Sequence, residues 1–74
     1  MKTHRGKGFE PHAFKLADEP GWVADFRLID HAGSETIVTS YWLKGKFDAE
    51  DLALRAACDA ATREIDAKLD GSLI

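Results

Sequence analysis

Phe47-Asp48-Ala49-Glu50-Asp51-Leu52 is the stretch that decides the fold, because it reads as the start of a helix whose apolar stripe runs on to Leu69. Asp48 suits the N-cap, where its carboxylate can accept from the free N–H groups of Glu50 or Asp51. Phe47 and Leu52 then occupy the two ends of a hydrophobic staple. Ala49, Glu50 and Asp51 fill the first turn, where negative charge suits the positive end of the helix dipole. On a helical wheel Leu54, Ala57, Cys58, Ala61, Ile65 and Leu69 share one face, and Arg55, Asp59, Arg63, Asp66 and Asp70 share the opposite one. Asp51, Arg55, Asp59 and Arg63 add a charge ladder at i,i+4 spacing. Gly71 stands at the expected C′ position. A helix over residues 49–70 would be about 33 Å long at 1.5 Å per residue, enough to lie along a strand of ten residues crossed at an angle.

Upstream of this helix the pattern changes to a period of two. In Trp22 to Asp30, the set Trp22, Ala24, Phe26 and Leu28 alternates with Val23, Asp25, Arg27 and Ile29, which predicts a strand with the first set in the core. Thr36 to Leu43 is dominated by β-branched and aromatic residues, as a half-buried pleated surface prefers. A shorter strand is expected at His12-Ala13-Phe14-Lys15-Leu16, opened by Pro11 and closed by Asp18-Glu19-Pro20-Gly21. Pro20 and Gly21 suit the central positions of a type II turn.

Two registers compete between the last two strands. A two- or four-residue loop about Ala32-Gly33 pairs Phe26 with Thr39 and Ala24 with Tyr41, which puts Ile37, Tyr41 and Leu43 inside and Val38 and Trp42 outside. A three-residue loop ending at Gly33 pairs Phe26 with Val38 and Trp22 with Trp42, which reverses those faces. Hydrophobic count favours the first and turn chemistry the second.

The expected architecture is therefore α+β: a three-stranded antiparallel β-meander with one C-terminal α-helix packed on one face, in the order β-β-β-α. At 74 residues the chain is one domain with a thin core. Residues 1–8 carry Lys2, Arg5 and Lys7 with no acid and read as a flexible basic leader, leaving residues 9–74 as the domain. The net charge of −3 is thus concentrated in an acidic body, which repels phosphate backbones and argues against nucleic-acid binding. A single cysteine forms no internal disulfide, and no apolar run has the length of a signal peptide or a membrane span. A cytoplasmic protein is expected.

Chemistry has few candidates. Cys58 lies on the core stripe, away from the electropositive, exposed setting that a reactive thiol needs. His4, His12 and His31 are scattered, without zinc spacing. His31 with Asp30 and Ser34 holds the residue types of a nucleophilic triad, but adjacent turn residues do not reach its geometry. Asp59, Glu64, Asp66 and Asp70 lack the alternation and bending glycine of a calcium loop and read as a solvated face. No enzymatic activity, cofactor or metal is expected.

Tyr41 and Trp42 are more informative, because consecutive strand residues point to opposite faces and one of the two must leave the core. A single helix covers one face of the sheet, so the other keeps apolar residues: Val23, Ile29, Val38 and Trp42 in one register, or Val23, Ile29, Ile37, Tyr41 and Leu43 in the other. Asp25, Arg27, Lys15 and Lys44 interrupt that patch. Val23, Ile29, Val38, Tyr41 and Trp42 are accordingly the candidate partner-binding residues, with a homodimer or a small protein partner as the expected occupant.

The order of strands, with a helix opening on Phe47-Asp48-Ala49-Glu50-Asp51 and carrying Arg63-Glu64-Ile65-Asp66 near its end, resembles a group of small uncharacterised proteobacterial proteins. It is also similar to the HicB-like antitoxin domain. There Gly21-Trp22-Val23-Ala24 would match the glycine-aromatic start of a strand, and the alanine-rich helix would match that domain's helix. The second resemblance implies toxin binding and a dimer, and neither carries over a catalytic residue.

Overall fold

The computed structural model describes residues 1–71; residues 72–74, part of the domain expected from sequence, lie outside the described residues. Four strands and one helix follow in order: β1 (Lys2–His4), β2 (Lys7–Lys15), β3 (Trp22–Ala32), β4 (Glu35–Trp42) and α1 (Glu50–Gly71). The strands form a single antiparallel meander, β1-β2-β3-β4. The α+β class, the antiparallel sheet and the C-terminal helix agree with expectation. The strand count does not. Residues 1–8, read as a leader on charge alone, supply β1 and the start of β2.

Turn chemistry explains the extra strand. His4 pairs with Lys7, which leaves Arg5 and Gly6 as a two-residue loop. Their φ values are 51° and 81°, the two left-handed positions that a type I′ hairpin requires. Long-range bonds from the helix secure it. His4 Nε2 lies 2.9 Å from Asp66 Oδ1, and Arg5 Nη1 donates to Asp66 Oδ1 at 3.1 Å and to Asp70 Oδ1 at 3.2 Å. These two carboxylates, expected on a solvated face, hold β1 to α1.

Between β3 and β4 the loop is Gly33-Ser34, with Ala32 opposite Glu35 and Phe26 opposite Tyr41. Gly33 has φ 64° and Ser34 does not enter the left-handed region, as in a type II′ turn. The pairing is two residues from the Phe26–Thr39 register expected above. A shift of two keeps every side chain on its face, so Ile37, Tyr41 and Leu43 still share the helix side, and Val38 and Trp42 lie on the opposite side.

The core is the seam between α1 and the β2–β3 pair. Phe9, Ala24, Phe26 and Leu28 of the sheet are buried against Ala53, Ala57, Ala61 and Ile65 of the helix. Three fully covered alanines let the helix backbone come close to two phenylalanine rings, so large packs on small. The buried stripe is rotated from the expected one: Ala53 is central, Leu54 is only half-buried, and Leu52 is exposed. The helix also begins one residue later. Ala53 N–H donates to Ala49 C=O, which makes Ala49 and not Asp48 the capping residue. Phe47, expected as one end of a staple, packs against the core while Leu52 is exposed. Phe47 also extends the sheet, since Trp22 and Phe47 exchange N–H···O=C bonds at 2.8 and 2.9 Å.

The domain measures 42 × 27 × 16 Å, a thickness that holds one sheet and one helix and no third layer. Among the described residues, one face of the sheet is therefore left without a covering element. Among the described residues no helix is long and apolar enough to cross a membrane.

Candidate functional site

Ala24 C=O accepts from Leu43 N–H at 3.0 Å, so the even-numbered residues of β3 direct their backbone toward β4 and the odd-numbered ones toward β2. Side chains alternate in step. The face opposite the helix is built from Glu10, His12 and Phe14 of β2, from Val23, Asp25, Arg27 and Ile29 of β3, and from Val38, Ser40 and Trp42 of β4.

Asp25 is the centre of this face. It stands directly between His12 on β2 and Trp42 on β4, and it is the buried charged residue of the described structure, 2% exposed. His12 Nδ1–H donates to Asp25 Oδ1 at 3.1 Å. Rings roof the pair: Phe14 lies 5.6 Å from Trp42 and 6.2 Å from His12, centroid to centroid. A carboxylate kept from water beside a donor is held in one orientation, because losing that bond would leave a buried acceptor without a partner. The aromatic cluster thus sits on a stiff base. Trp42, 64% exposed, presents most of its ring to solvent, and Phe14 and Val38 extend the surface on either side.

The His–Asp pair does not make a hydrolytic site. A triad needs the second imidazole nitrogen to face a nucleophile. Here His12 Nε2 faces Glu10 Oε2 at 3.9 Å, so both ring nitrogens are directed at carboxylates. Among the described residues no group of three or more His, Cys, Asp and Glu side chains is placed to hold a metal ion. His4 and His12 lie on opposite faces, His31 Nδ1 meets Thr36 Oγ1 at 3.3 Å, and Asp30 pairs with Lys7 at 3.6 Å. Cys58 is half-buried.

Of the candidate binding residues, Val23, Ile29, Val38 and Trp42 share the open face. Tyr41 does not join them. It is half-buried on the helix side, stacked on Phe26 with centroids 5.0 Å apart, and Lys68 Nζ lies 5.6 Å over its ring. The hydrogen bond to Tyr41 holds the Lys68 ammonium above its usual range. A shallow groove of about 420 Å³ between β3 and the C-terminal half of α1 carries Lys7 and Lys68, but Asp30 and Tyr41 already engage them.

Sequence reasoning missed His12, Phe14 and Asp25 as one cluster. Thirteen residues separate His12 from Asp25, and only the β2–β3 register brings them together. The polar Asp25 inside the alternating run of β3 was the available signal, since a charge between apolar neighbours calls for a partner across the strand. Searches against family models, curated proteins and solved structures gave no match to this chain.

Proposed function

We propose that this chain is a small non-catalytic interaction protein that holds a protein partner against the open face of its sheet. One observation carries the reading: Trp42, the largest kind of side chain, is 64% exposed on the uncovered face, beside Phe14 and above the bonded His12–Asp25 pair. Aromatic anchors on a rigid base lose little side-chain freedom when they bind, and tryptophan is among the residues that carry most binding energy in protein interfaces. Val23, Ile29 and Val38 supply further apolar surface, and Glu10, Arg27 and Ser40 form a polar row across the face between Trp42 and Val38. The acidic composition favours a protein surface over a phosphate backbone.

A second reading, an antitoxin-like role for the same face, is favoured by the order of antiparallel strands followed by one helix, and would make the partner a basic toxin.

Capture from the native cell extract on immobilised wild-type, Trp42→Ala and Tyr41→Ala chains tests the proposal. The expected result is a partner retained by the wild type and lost with Trp42→Ala, whose circular dichroism is unchanged. Tyr41→Ala should lose stability first, because its ring packs on Phe26. Equal capture by wild type and Trp42→Ala would remove the open face as the binding surface.

A further inference from the structure

The two edges of the sheet are built differently. On the outer side β1 is only three residues long and two of them are Lys2 and His4. Beyond its end, Pro11 of β2 stands opposite Phe26, an even-numbered residue of β3 whose backbone is directed at β4. The Pro11 nitrogen therefore points away from β3, to the outer edge, where it offers no N–H. A short strand, charges and an outward proline are devices that stop another strand from adding.

β4, eight residues long, carries only a charge at its first position, Glu35. From Thr36 to Trp42 it has no charged residue, no proline and no glycine, and every residue from Glu35 to Ser40 is exposed. Its odd-numbered residues direct their backbone at β3, so the N–H and C=O groups of Thr36, Val38, Ser40 and Trp42 face outward in a regular row. An unguarded edge of β-branched residues is a template for strand addition.

From this asymmetry we infer that β4 pairs antiparallel with β4 of a second copy, about a two-fold axis through Ser40. This goes beyond the reading of the open face as a binding surface: the second copy meets the edge that borders that face, and the two open faces become continuous. Only outward-facing residues can exchange backbone bonds, so even-numbered residues must stand opposite even-numbered ones. A centre at Ser40 sets Val38 opposite Trp42 of the other copy on the open face, and Ile37 opposite Leu43 on the helix side, each pair occurring twice. Val38, Ile37 and Trp42, three of the exposed large apolar residues, then each gain an apolar neighbour across the seam. The antiparallel sense sets Glu35 opposite Gly45 of its mate, whereas in-register parallel pairing would set Glu35 beside Glu35. Because the Pro11 edge stays blocked, assembly closes at two copies and does not run on into a fibre.

Light scattering over a range of concentrations, together with disulfide trapping, tests the seam. The wild type should reach the mass of two chains. Ser40→Cys in a Cys58→Ala background should form a disulfide with its mate under mild oxidation, because directly bonded antiparallel neighbours have Cα atoms within disulfide reach. Thr39→Cys in the same background should trap far more slowly. Ser40→Lys, at an exposed position, should keep the fold by circular dichroism and weaken the dimer by about fivefold or more, as like charges meet on the axis. Arg63→Ala, on the outer face of the helix, should leave the dimer intact. A monomer at every concentration, or faster trapping at residue 39 than at 40, overturns the seam. A dimer lost with Phe14→Glu but indifferent to Ser40→Lys also overturns it, while leaving the open face as the binding surface.

Discussion

His12 Nδ1 stands 3.1 Å from Asp25 Oδ1, and this bond ties β2 to β3 on the face that the helix leaves open. It is what allows a carboxylate to be buried at the centre of an apolar cluster.

Removing the donor should therefore cost more than a surface substitution does. His12→Ala is expected to destabilise the fold by about 1–3 kcal/mol, the usual penalty for leaving a buried acceptor without its partner. Asp25→Asn, which keeps a side-chain acceptor opposite His12, should cost less. Urea denaturation of the three proteins measures both, and equal midpoints for wild type and His12→Ala would show that Asp25 does not depend on the imidazole.

The start of the helix gives a prediction of the opposite sign. Ala49 accepts the first helical bond and has no side-chain oxygen, while Asp48 lies one position outside. Ala49→Ser should add about 1 kcal/mol by supplying the missing cap, and Asp48→Ala should change stability by less than about 0.5 kcal/mol. Thermal melts decide it. A large loss with Asp48→Ala would return the cap to that residue.

Acid should release β1 before the core opens. The hydrogen bond from His4, and after it that from Arg5, hold the Asp66 carboxyl below the usual carboxylate range, while the same carboxyl is unshifted in the unfolded chain. A depressed folded-state value contributes stability that is fully present above the unfolded value, about 3.9, and is lost as pH falls through the folded one. Amide signals of Thr3 and His4 should therefore move in strong acid while those of Phe26 hold, and Asp66→Asn should reproduce that state at neutral pH. Simultaneous loss of β1 and core signals would contradict a separate clamp.

How much of this was legible in the sequence depended on the range of the signal. The helix and the alternation of β3 are local patterns, and both were readable. The faces of β4 were readable because parity survives a two-residue slip, but the pairing of Phe26 was not, since it turns on whether Gly33 is the first or the last residue of the loop. β1 was hidden because Lys2-Thr3-His4 is too short for a period to register, although Arg5-Gly6 followed by a strand carried a hairpin signature. The cap was misplaced by one residue because Asp48 and Ala49 differ in propensity but not in pattern. The His12–Asp25–Trp42 cluster exists only once three strands are in register, so the charge of Asp25 is a local hint while its partners are not.

The account stands or falls on the open face and its β4 edge being where this protein makes contact. Amide spectra of the isotopically labelled chain, recorded at low and high concentration and with any captured partner, test that directly. The expected result is a set of perturbed signals at Val23, Ile29, Val38, Ser40 and Trp42, with Arg55, Asp59 and Arg63 on the outer face of the helix unmoved. Perturbation centred on those three helix residues, with Val38 and Trp42 unchanged, would contradict it.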